Sequence, residues 1–209
     1  MPVTVLGLAG SCRVGGNTET LLDWCLAAAE EQGAEVRKFR LGDLDLHGCR
    51  GCGACSADGA CTVKDGMQEL YRHLKGADSI ILASPIYAMG MPAVPKMMID
   101  RCQPFWAWKY VLGRTVAEPL GPQRLGAYLC CAGTDFSHVF DGSRQVVRYL
   151  WHILEIQAAG ELLCPGVDEA GAINNYPSAK TVAMDIGRRL GGPRPHPATV
   201  NEEQSEVAG

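Results

Sequence analysis

The chain has 209 residues, of which 47% are hydrophobic and 20% are charged, and this suits one domain with a substantial core. Its net charge of −4 argues against a nucleic-acid or anionic-membrane surface. No apolar run approaches the roughly 20 residues that a membrane span needs, and no basic and apolar leader precedes the first predicted strand, so we expect a cytoplasmic protein.

Apolar runs and helical periodicity alternate along the chain and predict five strands and five helices. The predicted strands are 3–9, 35–40, 78–84, 125–132 and 158–164, and the predicted helices are 17–31, 65–74, 92–102, 139–156 and 177–190. We also predict a cysteine-rich loop over 47–62 and an irregular stretch between the third helix and about residue 122. The polar tail 192–209 is predicted to be disordered, which leaves one domain over 1–191.

Strands that alternate with helices predict a parallel sheet with helices on both faces. Such sheets bind ligands at the carboxyl ends of their strands, where the strand order reverses. We therefore expect the chemistry to lie in the loops that follow the first, third and fourth strands.

The segment 10–18 joins the first predicted strand to the first predicted helix and has the parts of a phosphate site. Three glycines let the backbone approach a ligand closely, and the helix N-terminus adds a partial positive charge. The neutral donors Ser11, Asn17 and Thr18 and the fixed cation Arg13 complete the predicted phosphate site. The pattern is neither the dinucleotide motif nor the lysine-containing nucleotide motif, so a monophosphate fits better. The alternative is a glycine-rich turn in which Asn17 or Thr18 only caps the helix.

Four of the ten cysteines, Cys49, Cys52, Cys55 and Cys61, fall within one short stretch. In a reducing compartment, clustered cysteines bind metal or do redox work more often than they form structural bridges. Four thiolates are the usual ligands of a [4Fe-4S] cluster, whereas zinc sites usually separate two ligand pairs by a longer spacer. The alternative is a loop of free thiols, or a pair joined by a disulfide after exposure to air.

An aromatic group follows the third predicted helix and consists of Phe105, Trp106, Trp108 and Tyr110. Exposed apolar patches of this kind are usually covered, so a subunit contact is the favoured interpretation. The alternative is a lid over a bound ligand or a docking surface for an electron carrier.

Three motifs in this order resemble the NADPH-dependent FMN reductase and iron–sulfur flavoprotein families. Gly10-Ser11-x-Arg13-x-x-x-Asn17-Thr18 resembles the loop that binds the FMN phosphate in these families. Ser84-Pro85-Ile86-Tyr87, followed by Gly90, resembles their second loop, which lies against the flavin ring. Pro92-Ala93-x-Pro95-Lys96-x-x-Ile99-Asp100-Arg101 resembles the helix after that loop, and the spacing of the four cysteines is similar to the compact motif of the iron–sulfur flavoproteins.

The resemblance implies an α/β, flavodoxin-like three-layer sandwich whose five-stranded parallel sheet has the order 2-1-3-4-5. It implies FMN as cofactor, with the phosphate on Ser11, Arg13, Gly16, Asn17 and Thr18. The flavin ring would lie near Pro85, Ile86, Tyr87, Ala88, Met89 and Gly90, with Ala132, Gly133 and Thr134 on its other side. It also implies that Cys49, Cys52, Cys55 and Cys61 hold a [4Fe-4S] cluster.

The function that this resemblance implies is FMN-dependent oxidoreductase. Electrons would pass between NAD(P)H or a reduced carrier and a small-molecule or protein acceptor, through the cluster, in a homodimer or homotetramer. Because the flavin carries the redox chemistry, we predict no catalytic acid or base in the protein. The alternatives are a cluster-free NAD(P)H-dependent flavin or quinone reductase, a non-catalytic electron carrier, and a redox sensor that uses its cysteine loop.

Overall fold

One five-stranded sheet organises the fold in the computed structural model, which describes residues 2–117 and 123–194. All its neighbouring strands are parallel and stand in the order β2-β1-β3-β4-β5. The strands are β1 Thr4–Ala9, β2 Glu35–Arg40, β3 Ser79–Pro85, β4 Leu125–Cys131 and β5 Gln157–Cys164. The predicted fold class and strand order are therefore confirmed.

Seven α-helices are present in the described part of the chain. They are α1 Asn17–Glu30, α2 Cys55–Asp58, α3 Met67–Gly76, α4 Ala93–Asp100, α5 Gln103–Tyr110, α6 Asp141–Ile153 and α7 Ala179–Gly191. Two 3₁₀ turns, Leu41–Asp43 and Ala172–Asn175, lie in the connections after β2 and β5. Over residues 2–117 and 123–194, each helix is too short or too polar to cross a membrane.

The sheet carries a separate hydrophobic core on each face. Successive residues of β1 point to opposite faces, so Leu6 and Leu8 pack with the layer of α3, α4, α5 and α6. Val5 and Ala9 pack with α1 and α7 on the other face. Burial on both faces explains why the central strands are continuous apolar runs without polar alternation.

Helices α1 and α7 pack unusually closely because α7 carries two glycines at the contact. A Cβ atom on Gly187 would lie 2.0 Å from the carbonyl oxygen of Cys25, and one on Gly191 would lie 2.5 Å from that of Ala29. No side chain fits in these gaps without movement of the backbone. The contact fixes α1, whose N-terminus reaches the carboxyl edge of the sheet.

The prediction of an irregular stretch after residue 102 was wrong for residues 103–110, which form α5. Pro104 lies in the first turn of this helix, where its missing N–H is not needed, and Phe105 is buried in the core. The prediction of a loop over 47–62 was also wrong for Cys55–Asp58, which form the single-turn helix α2. This turn ends at Gly59, whose φ of +81° favours glycine. Residues 118–122 lie outside the described part of the chain.

The predicted disordered tail begins at residue 192, and residues 195–209 lie outside the described residues. Arg194 is described, and it donates hydrogen bonds to the carbonyl oxygens of Asp78 at 2.7 Å and Leu190 at 2.9 Å. These bonds attach residue 194 to the residue before β3 and to the last turn of α7.

Candidate functional site

The connections after four strands, β1, β3, β4 and β5, meet in one cavity at the carboxyl edge of the sheet. Nine of the residues predicted to bind the cofactor line it, namely Ser11, Arg13, Gly16, Asn17, Thr18, Pro85, Ile86, Tyr87 and Gly133. This phosphate pocket has a volume of about 60 Å³ and is partly open to solvent. Because a water molecule takes about 30 Å³ of the liquid, this space suits a group the size of a phosphate.

The N-terminus of α1 opens into the phosphate pocket. Gly16 is its N-cap, so no side chain bonds the first N–H groups of the helix. Ser11 is buried beside it, and its hydroxyl accepts the Arg13 N–H at 3.1 Å. Free helical N–H groups, a hydroxyl and a guanidinium together form an anion site.

Glu19 supports the 10–18 loop and was not predicted as a site residue. Its buried carboxylate accepts the N–H of Gly15 at 2.8 Å and lies 2.7 Å from the ammonium group of Lys38 and 3.2 Å from Nε of Arg40. Burial raises the pKa of Glu19, but Lys38, the Gly15 N–H and Arg40 together lower it below its usual value. Glu19 stands at the third helical position, where an acidic residue can bond back to the loop before the helix, and this was an available signal.

The connection after β5 closes the other side of the phosphate pocket. Asn17 donates through Nδ2 to the carbonyl oxygen of Glu169 at 2.9 Å and accepts the Ile173 N–H at 3.3 Å. Arg13 donates to the carbonyl oxygen of Asp168 at 3.3 Å. The side chain of Asn17 thus holds this connection in place.

Three further residues that line the phosphate pocket were not predicted, namely Cys131, Val167 and Asp168. Their signal was available, because Cys131 ends β4 and the other two follow β5 at the same sheet edge. The other residues predicted to bind the cofactor do not line the phosphate pocket, namely Ala88, Met89, Gly90, Ala132 and Thr134.

The second loop forms a tight turn beside the phosphate pocket. Tyr87 and Gly90 exchange two backbone hydrogen bonds of 3.0 Å, and Ala88 and Met89 between them have φ angles of +47° and +64°. Such angles are strained for residues other than glycine and are often found at functional sites. Tyr87 and Met89 are 51% and 50% exposed, so the turn presents an apolar face outside the pocket. The site therefore fits FMN, with a small pocket for the phosphate and an exposed apolar face for the ring.

A second cavity of about 270 Å³ is lined by Cys49, Cys52, Cys55 and Cys61. Cys55 is buried, and burial raises its pKa, as do the charges of the other three cysteines. The pKa of Cys52 is lowered by the Ala54 N–H and then by the hydroxyl of Thr62. The four thiols therefore lie within electrostatic reach of one another around this cysteine cavity.

The cysteine cavity is larger than a site for one ion. Within the described residues, no three or more His, Cys, Asp or Glu side chains come close enough to hold a single metal ion. A tetrahedral zinc site needs four ligands at about 2.3 Å from the metal, whereas a four-iron cluster is bound by thiolates at its separate corners. The donor set and the size of the cavity fit the cluster better than zinc.

A buried ion pair joins the two ends of the cysteine loop. Asp65 accepts two hydrogen bonds from Arg101, at 2.6 and 3.1 Å, and also accepts the His47 N–H at 2.9 Å. Arg101 also donates to the carbonyl oxygens of His47 and Val63. Burial raises the pKa of Asp65, but Arg101 and the N–H groups of His47 and Met67 together outweigh this and lower it to about 2.

Helix α5 holds the tip of the cysteine loop. Trp108 donates its indole N–H to the carbonyl oxygen of Gly59 at 2.8 Å, and Arg114 donates to that of Asp58 at 3.0 Å. Phe105 belongs to the core of this chain, so the prediction that it forms a subunit contact was wrong. Tyr110 is 52% exposed on the outer side of α5.

A family model described as NADPH-dependent FMN reductase matches residues 3–140. The chain is 41% identical over 100 residues to an iron–sulfur flavoprotein of Methanocaldococcus jannaschii, a match that covers 48% of this chain and 52% of that protein. It is 40% identical over 100 residues to an iron–sulfur flavoprotein of Archaeoglobus fulgidus, which covers 48% of this chain and 46% of the relative. The matches thus span about half the length of these curated relatives.

The fold is also similar to that of a solved NAD(P)H:quinone oxidoreductase from Methanothermobacter marburgensis. The TM-score is 0.63 at 14% identity, and the alignment covers 91% of this chain and 98% of that one. At this identity the likeness supports the flavodoxin-like fold alone.

Proposed function

Because the chain belongs to the NADPH-dependent FMN reductase family, whose model matches residues 3–140, we propose that it is an FMN-dependent oxidoreductase that also holds a [4Fe-4S] cluster. Electrons would pass between NAD(P)H or a reduced carrier and an acceptor. The observation that carries the flavin part is the convergence of the 10–18 loop, the Pro85–Tyr87 segment and Gly133 on one phosphate-sized pocket.

In this proposal the protein binds FMN mainly through its phosphate. The free N–H groups of α1 and the Ser11 hydroxyl would donate to the phosphate oxygens, and Arg13 would supply a positive charge. Asn17 would act indirectly, because both of its side-chain polar atoms already hold the 169–173 connection. Glu19 would fix the loop without touching the phosphate, because its carboxylate accepts the N–H of Gly15.

The flavin ring would rest on the turn at 87–90 and face the start of the segment after β4. Bound FMN supplies the redox chemistry, since it can accept a hydride and release electrons singly. The protein would exclude water with Pro85 and Ile86, orient the ring with Tyr87, and offer backbone N–H groups. No ionisable side chain is required for this chemistry.

The cluster part of the proposal rests on the cysteine cavity. Four thiols line one cavity of about 270 Å³, and the curated relatives are named iron–sulfur flavoproteins. A bound cluster would supply a one-electron relay. Cys49, Cys52, Cys55 and Cys61 would be its ligands.

Anaerobic reconstitution tests both parts of the proposal at once. Protein supplied with FMN, ferrous iron and sulfide should show flavin absorption, about four irons per chain, and a broad band near 400 nm that bleaches on reduction. Oxidation of NADPH and NADH should then be followed with a quinone or a ferredoxin-like carrier as acceptor. Protein that takes up no FMN would overturn the flavin part, and protein with FMN but no iron would overturn the cluster part.

The second candidate is a cluster-free NAD(P)H-dependent flavin or quinone reductase. It is favoured by one observation, that the family model matching residues 3–140 is described as NADPH-dependent FMN reductase. It predicts full NAD(P)H oxidation by protein that carries FMN and no iron. A non-catalytic electron carrier predicts no steady oxidation of either nucleotide.

We also propose, from the family resemblance, a cytoplasmic homodimer or homotetramer, which sedimentation of the FMN-loaded protein would test.

A further inference from the structure

Arg101 is a buried cation in the wall of the cysteine cavity. It is 1% exposed and lines the cavity together with the four cysteines. A buried guanidinium is costly unless its donors are paired. The two terminal nitrogens of Arg101 donate four hydrogen bonds. Nη1 donates to the His47 carbonyl oxygen at 2.7 Å and to Asp65 at 2.6 Å, and Nη2 donates to Asp65 at 3.1 Å and to the Val63 carbonyl oxygen at 3.3 Å.

The remaining donor of Arg101, its Nε–H, is buried and has no hydrogen-bond partner among the described residues. Both terminal nitrogens of the guanidinium are hydrogen-bonded, so the side chain cannot change its rotamer without breaking the ion pair with Asp65. A buried N–H without an acceptor is unfavourable and needs an explanation. An acceptor held in the cysteine cavity supplies one, since Arg101 lines that cavity.

We propose that Arg101 donates its Nε–H to a sulfur atom of the cluster and thereby raises the reduction potential of the cluster; this inference rests on the proposed iron–sulfur function. A cluster becomes more negative when it is reduced, so a nearby cation and a hydrogen bond to sulfur stabilise the reduced form more than the oxidised form. Asp65 neutralises part of this charge and sets how far the potential rises.

The cavity offers a matched control for this role. Arg50 also lines it but is exposed, so water screens its charge. Substitution by lysine keeps the charge and removes the Nε–H at either position. Arg101→Lys should therefore change the potential, and Arg50→Lys should not.

The alternative is that Arg101 only closes the ends of the cysteine loop. Arg101→Lys would then lower thermal stability or iron content, but the potential of the retained cluster would stay at the wild-type value. Asp65→Asn separates the two roles further. This substitution also weakens the contact between the ends of the cysteine loop. It removes the negative charge that partly neutralises Arg101, so we expect the reduction potential of the cluster to rise.

The experiment is a redox titration, at one fixed pH, of anaerobically reconstituted FMN-loaded protein, with iron and sulfide counted in every sample. We expect Arg101→Lys to disfavour reduction about tenfold, which is about 59 mV for a one-electron couple. We expect Asp65→Asn to shift the potential in the opposite direction and Arg50→Lys to leave it unchanged. Unchanged potential in an iron-replete Arg101→Lys protein would overturn the inference.

A spectroscopic measurement on protein that retains Arg101 tests the inference even where the Arg101 and Asp65 variants lose the cluster. In Arg50→Lys protein labelled with [¹⁵N]arginine, pulsed EPR of the reduced cluster should detect a ¹⁵N coupling, and its absence would overturn the inference. Wild-type protein that binds no iron would overturn the proposed cluster function and this inference together. The iron count separates that outcome from a failure of the Arg101 role alone.

Discussion

The phosphate pocket and the cysteine cavity are held by different kinds of contact. The pocket is made by segments that follow β1, β3, β4 and β5, of which the first three are central strands. Its geometry is largely backbone geometry, as in the 2.7 Å hydrogen bond from Gly10 to the carbonyl oxygen of Ala83. The sheet therefore fixes this site wherever the fold forms.

The cysteine cavity lies in the loop that follows the edge strand β2. Side chains from distant parts of the chain hold it, namely Arg101 with Asp65 at its base and Trp108 at Gly59. A site held mainly by side chains can be opened by one substitution, whereas the strand ends beneath the phosphate pocket keep their places as long as the sheet forms. We therefore expect that each site can be lost while the other remains.

The largest effect is expected from Cys52→Ala. Cys52 is exposed, so its truncation leaves the core intact and removes one of the four proposed ligands. We expect iron after reconstitution to fall from about four per chain to below one, with FMN affinity unchanged. Iron analysis and fluorescence titration with FMN measure the two quantities. The control is Cys12→Ala, another exposed cysteine but outside the cysteine cavity, and full iron in Cys52→Ala would contradict the ligand assignment.

Arg13→Ala should produce the reverse pattern. Arg13 lines the phosphate pocket, so its loss would remove the charge-assisted bond that we propose it makes to the FMN phosphate. Because Arg13 is exposed, we expect a modest effect, with FMN binding about tenfold weaker, or about 1.4 kcal/mol. Iron content should not change.

Riboflavin supplies the control for Arg13, since it has the same ring and no phosphate. Its affinity should be equal for wild-type protein and Arg13→Ala. An equal loss of affinity for FMN and riboflavin would show that Arg13 acts on the ring or on folding, and would contradict the phosphate assignment.

Acid should open the cysteine loop through Asp65. The pKa of Asp65 is lowered to about 2 in the folded protein, so its ionised form stabilises the fold above pH 4, and this stabilisation is lost as the pH falls from about 4 to 2. We expect the unfolding free energy of wild-type protein to fall across this range more steeply than that of Asp65→Asn. Urea denaturation at several pH values measures both slopes. Asp23→Asn, at an exposed ion pair, should keep the wild-type slope.

Sequence alone was sufficient where the signal is local. The strand runs, the 10–18 loop and the cysteine spacing each lie within a short segment, and the resemblance supplied the strand order. The missed features depend on contacts between distant residues. Asp65 and Arg101 are 36 positions apart, and Asn17 bonds residues more than 150 positions away. Helix α5 was missed because its aromatic residues face several neighbours and give no helical periodicity.

The smallest expected effect tests the outer support of the cysteine loop. Trp108→Phe keeps an aromatic ring but removes the indole N–H, which leaves the buried carbonyl group of Gly59 without this donor. We expect a loss of about 1 kcal/mol in unfolding free energy and faster alkylation of the buried Cys55 in metal-free protein. FMN affinity should stay at the wild-type value, because α5 does not reach the phosphate pocket. Trp106→Phe is the matched control, since Trp106 packs against Tyr110 on the outer side of the same helix. Equal alkylation rates for the two variants would mean that the loop is held at its base alone, and the Asp65–Arg101 pair would then be sufficient to form the cavity.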